Sequence, residues 1–376
     1  MSPVALHAAR VLTPDGFQPD WCVVMDGGLI AGVMPSGDCP ASLTQRRLDG
    51  DLLPGFIDLQ VNGGGGVLFN DHPTVDGIAA IGAAHRRFGT TGFLPTLISD
   101  DLGNVERAIR AVDAAIEQGI PGVLGIHIEG PFLNPARKGI HDAAKFRTLD
   151  EEALTLLASL RHGRTLVTLA PELAPPDAIR ALTGRGVTVA AGHTAATYDD
   201  LQRAFAEGLS GFTHLFNAMT QLGSREPGAV GAALDHRPSW CGLIVDGHHV
   251  HPATLRIALA AKGAERLALV TDAMPPVGSD QTHFWLAGQR IACDGDRCTD
   301  ANGTLAGSNL NMAAAVRNAV RIMHVDLATA VRMASQVPAS VLGLAAERGA
   351  IRAGMRADLV LVDAANQVVE SWISGQ

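Results

Sequence analysis

The chain reads as an α/β protein, a (β/α)8 TIM-like barrel with a small β-sandwich domain built from both chain termini. Three observations predict this. From about Leu52 onward, apolar runs of strand length alternate with amphipathic helical runs, as in successive βα units around a parallel sheet. Eight such apolar runs occur in a row. The two ends of the chain abandon the alternation for short β-rich pieces parted by Asp-Gly and Gly-Gly turns.

The units follow in order. FIDLQV precedes TVDGIAAIGAAHRRFG, GFLPTLIS precedes NVERAIRAVDAAIEQG, and GVLGIHIEGP precedes DEEALTLLASLRHG. TLVTLAPE leads to PDAIRALTGRG and VTVAAGHT to TYDDLQRAFAEG. GFTHLFNAM stands as a strand with no helical run assigned to it, CGLIVDGHHV leads to PATLRIALAAKG, and RLALVTDAM is the eighth strand. Gly89, Gly119, Gly186, Gly208 and Gly263 punctuate these units, where a left-handed helix stop favours glycine. Between Ala273 and Gly307 the Gly- and Asp-rich GQRIACDGDRCTDANG reads as a β-hairpin excursion outside the barrel. The two β-rich ends pair as one domain, giving boundaries of 1–51 and 349–376 for the small domain and 52–348 for the barrel.

At 376 residues, 47% hydrophobic and 18% charged, the chain is long enough for one large core and a smaller one. A formal net charge of -9 argues against a broad basic surface for nucleic acid and leaves a small molecule as the expected partner. The five cysteines are odd in number and form no CxxC pair, so neither a disulfide framework nor a thiolate zinc site is expected. A reducing cytoplasm fits that usage. No leader-like start and no stretch of about 18 uninterrupted apolar residues is present, so a soluble protein that is not exported and has no membrane partner is expected.

Four strand-like runs end in groups able to hold a metal or move a proton: Glu129, His193, His214 and Asp272. In a parallel barrel the carboxyl ends of all strands meet at one face, so these residues converge there. Two imidazoles and one carboxylate leave a position open for water, the donor set of catalytic rather than structural zinc. Asp272 is followed by AMPPVG rather than by a helix that it could cap, which favours an acid/base role. DGHHV offers His248 and His249, either of which can steady a developing oxyanion. Arg137, Lys138 and His141 lie on the loop after the third strand. Arg225, in GSREPGAVG, is a candidate phosphate ligand through its guanidinium fork. VNGGGGVLFN lacks the Lys-Ser/Thr of a P-loop and reads as a tight loop on the substrate side.

Taken together, PGFIDLQVNGGGG, HIEGPFLNPARKGIH, AGHT, THLFNAM, DGHHV, VTDA and TLAGSNLNM make the chain, over nearly its whole length, resemble the N-acetylglucosamine-6-phosphate deacetylase family of the amidohydrolase superfamily. The resemblance implies a barrel with a small β-sandwich domain, a homodimer, and hydrolysis of N-acetyl-D-glucosamine 6-phosphate to D-glucosamine 6-phosphate and acetate. It implies Glu129, His193 and His214 as metal ligands, Asp272 as the acid/base and His249 as the group that polarises the acetyl carbonyl. His141, Asn217, Ala218, Arg225, Leu305, Ala306 and Gly307 become contacts to the phosphorylated amino sugar. Where many amidohydrolases carry His-x-His, this chain has Gln60-Val61-Asn62. Amides are poor zinc ligands, so Gln60 and Asn62 are expected to shape the site, and one divalent ion per subunit is expected: zinc, with iron, cobalt or manganese as alternatives. A related hydrolase for a cyclic amide or a nucleobase would share the ligands without needing LNPARKGIH and FNAM.

Overall fold

Strands covered on both sides are apolar on both faces. In the computed structural model, which describes residues 3–376, the runs expected as strands are accordingly buried along nearly all of their length. They are β1 (Phe56–Val61), β2 (Thr90–Ile98), β3 (Gly125–Glu129), β4 (Arg164–Leu169), β5 (Thr188–Ala191), β6 (Gly211–Phe212), β7 (Trp240–Ile244) and β8 (Leu267–Val270). Each pairs in parallel with its sequence neighbour, in the order β1 to β8. All eight expected strands are present.

The last strand returns to the first. Asp272 N donates to Gln60 O at 3.0 Å, and Val61 bridges Ala273 in parallel. Side chains complete the closure: the buried carboxylate of Asp58 accepts from Thr271 Oγ1 at 2.5 Å, Thr271 N at 3.3 Å and Gln60 N at 3.2 Å. Further round the barrel, His127 Nε2 meets Thr168 Oγ1 at 2.8 Å, and Thr168 meets Thr213 at 2.6 Å, so polar groups within the barrel satisfy one another.

Helices cover the outside, among them Val75–Arg86, Leu102–Glu117 and Tyr198–Ala206. Their starts are chemically marked. Thr74 accepts from Gly77 N, and Thr197 with Asp200 forms a reciprocal capping box. The five glycines expected to punctuate the units all have positive φ. Gly228–Asp235, after β6, was not expected. Its GAVGAALD is buried nearly all round, so it carries no amphipathic stripe to betray a helix.

Both ends of the chain enter one seven-stranded sheet. Val4–Thr13 pairs antiparallel with Gly16–Asp26, and in parallel with Thr44–Arg47 along its first part and Asp51–Pro54 along its second. Leu29–Pro35 extends the far edge, and Leu359–Val362 with Val368–Trp372 completes the side beyond Asp51–Pro54. Leu6, Val11, Val23, Leu52, Leu359 and Leu361 share its main core. Gly55 is the joint between Asp51–Pro54 and β1. A Cβ there would stand 2.0 Å from Thr91 Oγ1.

The excursion after β8 is a four-stranded sheet of His283–Leu286, Gln289–Asp294, Arg297–Thr299 and Leu305–Ser308. One expectation fails here. Cys293 and Cys298, cross-strand partners, are joined by a disulfide, although no disulfide was expected. The tight turn at Gly295-Asp296 brings them together, a proximity set by hairpin register rather than by any cysteine motif. Among the described residues no helix is long and apolar enough to cross a membrane.

Burial pushes the Asp58 carboxyl up to about 7, against the hydrogen bonds from Thr271 and Gln60. A carboxyl raised on folding adds stability that is full below its unfolded pKa and is lost as pH rises through its folded one. Asp58→Asn keeps an acceptor and offers a donor to Thr271. Urea melts should therefore show wild-type stability falling, relative to Asp58→Asn, from about pH 4 to about pH 7.

Candidate active site

Three residues at the carboxyl face of the barrel hold a backbone that side chains with a Cβ seldom adopt: His193 (φ 48°), His214 (φ 32°) and Asp272 (φ 52°). Such left-handed residues cost about 1–3 kcal/mol each and persist where the surroundings impose them. They follow β5, β6 and β8. Glu129, the last residue of β3, completes the convergence.

His193 Nε2 lies 3.1 Å and His214 Nε2 3.0 Å from Glu129 Oε1, and the two nitrogens are 3.1 Å from each other. All three residues are buried. His193 Nδ1 donates to Arg137 O at 2.9 Å, which fixes the proton on that nitrogen and leaves Nε2 as a lone pair. That lone pair faces the carboxylate and the other imidazole, while His214 Nδ1 is buried without a partner. A single proton on His214 Nε2 cannot satisfy all three atoms; a cation among them can. The donor set fits a divalent metal with an open position. Burial pushes Glu129 upward, but the adjoining imidazoles of His193 and His214 outweigh it and hold the carboxyl well below the usual range.

Asp272 receives different neighbours. Gln60 Nε2 donates to Asp272 Oδ1 at 3.0 Å and to Glu129 Oε2 at 3.0 Å, and Asn62 Nδ2 donates to Asp272 Oδ1 at 2.7 Å. The two amides therefore bracket Asp272, and Gln60 bridges the two carboxylates. Burial first, and then the charge of Glu129, pushes Asp272 up to about 6.

The wall of a cavity of about 330 Å³ includes Glu129, His193, His214 and Asp272, a volume suited to a small molecule. His141, Asn217, Ala218, His249, Leu305 and Gly307 also line it. Ala306, between the last two, is buried. His141 Nδ1 meets Ser99 Oγ at 2.8 Å, and its Nε2 stands 4.0 Å from Glu129 Oε1; burial pushes its imidazole well below the usual histidine range. Arg225 is exposed and outside this lining, and His248, Lys138 and Gly247 are exposed as well. The four-stranded sheet supplies Leu305 and Gly307 and is tied to the segment around Asp272: Ser308 N donates to Asp272 O at 2.9 Å and Met274 N to Ser308 O at 2.9 Å. Gly307 (φ 56°) leaves room for that approach, since a Cβ would stand 2.8 Å from Asp272 O.

One residue of the site was not singled out in the sequence. Asp246 accepts from His248 N at 2.8 Å, His249 N at 2.9 Å and His249 Nδ1 at 2.6 Å. Its place in DGHHV, three residues before His249, is a signal that could have found it.

The chain belongs to the amidohydrolase family, whose model matches residues 52–376. Within it, the chain is 42% identical to the N-acetylgalactosamine-6-phosphate deacetylase of Shewanella sp. strain ANA-3, over 98% of this chain and 94% of that one. It is 34% identical to the N-acetylglucosamine-6-phosphate deacetylase of Haemophilus influenzae, over 95% and 94%. The crystal structure of N-acetylglucosamine-6-phosphate deacetylase from Pasteurella multocida superposes with a TM-score of 0.96 at 33% identity, covering 99% of this chain and 98% of that one.

Since Asp246 holds His249 in place, Asp246→Ala should lower kcat, though by less than His249→Ala, whose loss should reach about a hundredfold. Turnover of both variants at saturating substrate measures the difference.

Proposed function

We propose that the chain hydrolyses the acetamide of N-acetyl-D-glucosamine 6-phosphate to D-glucosamine 6-phosphate and acetate, in amino-sugar catabolism or recycling. The observation that carries this reading is the convergence of Glu129, His193 and His214 with the bracketed carboxylate of Asp272 in one cavity. One catalytic divalent ion per subunit, best matched by zinc, would be held by Glu129, His193 and His214 and would supply Lewis acidity and an acidified water. Asp272 takes a proton from the attacking water, and its raised pKa lets it return that proton to the departing amine. The carboxylate of Asp246 holds the His249 ring by its Nδ1 and orients it toward the acetyl oxygen, where negative charge builds. His141, Asn217 and the backbone from Ala218 and Leu305 to Gly307 orient the sugar. Arg225 is exposed and off the cavity wall of its own chain, so to serve the phosphate it would act across the interface of a homodimer. A phosphorylated substrate does not cross membranes unaided, which agrees with action in the cytoplasm.

A second reading concerns the hydroxyl at C4. Identity is higher to the relative named for N-acetylgalactosamine 6-phosphate than to the one named for the glucosamine epimer. Acetate release from both epimers, before and after chelation and metal restoration, tests the proposal and ranks the two. No metal-dependent release from either would refute it. In the same assay, Arg225→Ala should weaken use of the phosphorylated sugar far more than use of free N-acetylglucosamine.

Asp272→Asn keeps the shape and removes the basicity. It should lower kcat by at least about a hundredfold while the bound metal stays. His193→Ala should lose metal and activity together, and the loss should be one ion per chain. Metal analysis and turnover of the two purified variants separate the roles; loss of metal in Asp272→Asn would make Asp272 a fourth ligand.

A further inference from the structure

A second group of metal-seeking side chains lies on the terminal sheet. Strand pairing sets His7 opposite Cys22, and Cys22 opposite Met34. Opposite residues of an antiparallel pair share a face. That face also carries Ala5 and Val24, which with Cys22 form a small apolar cluster separate from the main core of the sheet. Cys39 and Leu43, from the segment after Leu29–Pro35, pack against it. There the sulfurs of Cys22 and Cys39 and a ring nitrogen of His7 lie within 4.8 Å of one another. Cys22 is buried, and Cys39 and His7 are partly so.

We propose that His7, Cys22 and Cys39 form a second metal site, for a thiophilic divalent ion of the zinc(II) class, which clamps residues 36–43 to the terminal sheet. Two sulfurs and one imidazole are a donor set that zinc favours and that calcium or magnesium does not. Charge supports a dication: two thiolates neutralise it, whereas a monovalent ion would leave a net negative charge in a partly buried apolar cluster. The surroundings are also organised for a ligand. Ser36 Oγ meets His7 Nδ1 at 3.0 Å and orients the ring, so that an ion would take Nε2 in place of its hydrogen bond to Gln45. Gln45 Oε1 is hydrogen-bonded to His7 Nε2 and lies 3.8 Å from Cys39 Sγ, so an oxygen is at hand for a fourth position. Binding exchanges two thiol protons for one dication, and neither oxidant nor reductant is needed. The role is structural, since no thiol lines the active-site cavity.

Cobalt(II) distinguishes this site from the catalytic one, because only a thiolate ligand gives a sulfur-to-cobalt charge-transfer band in the near ultraviolet. The full-length protein, reduced and stripped of metal, should develop that band, reach its plateau with one thiolate-bound cobalt per chain, and lose it to zinc(II). In Cys39→Ser, a change at a partly exposed turn, the band should be absent, zinc content should fall by one ion per chain, and acetate release should be unchanged. Cys22→Ser should lose the band likewise; Cys39→Ser keeps the test valid if that buried change disturbs folding. No thiolate band in the wild type, or an equal band in Cys39→Ser, would overturn the proposal. So would a Cys22–Cys39 disulfide found by mass spectrometry whose reduction brings no cobalt uptake.

Discussion

A carboxylate sealed from solvent joins the first strand of the barrel to the last. Asp58 receives the hydroxyl and amide of Thr271, and the next residue in the chain is Asp272. The position of Asp272 is therefore set by the same contact that closes the barrel. Gln60, on the same strand as Asp58, and Asn62, just past its end, both donate to Asp272 Oδ1. Closure, the left-handed turn at Asp272 and the amide bracket are one mechanical unit, and a shift in any of them would be felt at the carboxylate.

The site keeps two carboxyl groups close together while giving them opposite chemistry. Glu129 is drawn strongly toward its anion by two imidazoles, whereas Asp272, buried and facing Glu129, is drawn toward its acid form. Divergent pulls of this kind set neighbouring carboxyls apart in acidity. Gln60 makes the arrangement tolerable by donating to both at once, through a nitrogen that needs no charge of its own.

The barrel was legible because its signal is repeated: eight apolar runs in a row reinforce one another even where a single run is ambiguous. The convergent residues were legible for the same reason, since Glu129 closes a strand and His193, His214 and Asp272 each stand two residues past one. What could not be read was information held in register or in uniform burial. Gly228–Asp235 has no polar stripe to give it a period. Cys293 and Cys298 meet through a hairpin pairing, and Cys22 meets His7 across two strands, so neither follows a spacing rule. Asp246 was hidden in plain view, because a turn aspartate is ordinary until its carboxylate is found on His249.

The terminal sheet draws its strands from opposite ends of synthesis. Asp51–Pro54 emerges early, yet one of its two edges is covered only by Leu359–Val362, some three hundred residues later. On the ribosome the N-terminal strands must wait with that edge bare while the whole barrel is made, and an unpaired apolar edge is a template for other chains. Translation speed and chaperone supply thus bear on this protein most heavily at its beginning, through a strand whose partner does not yet exist.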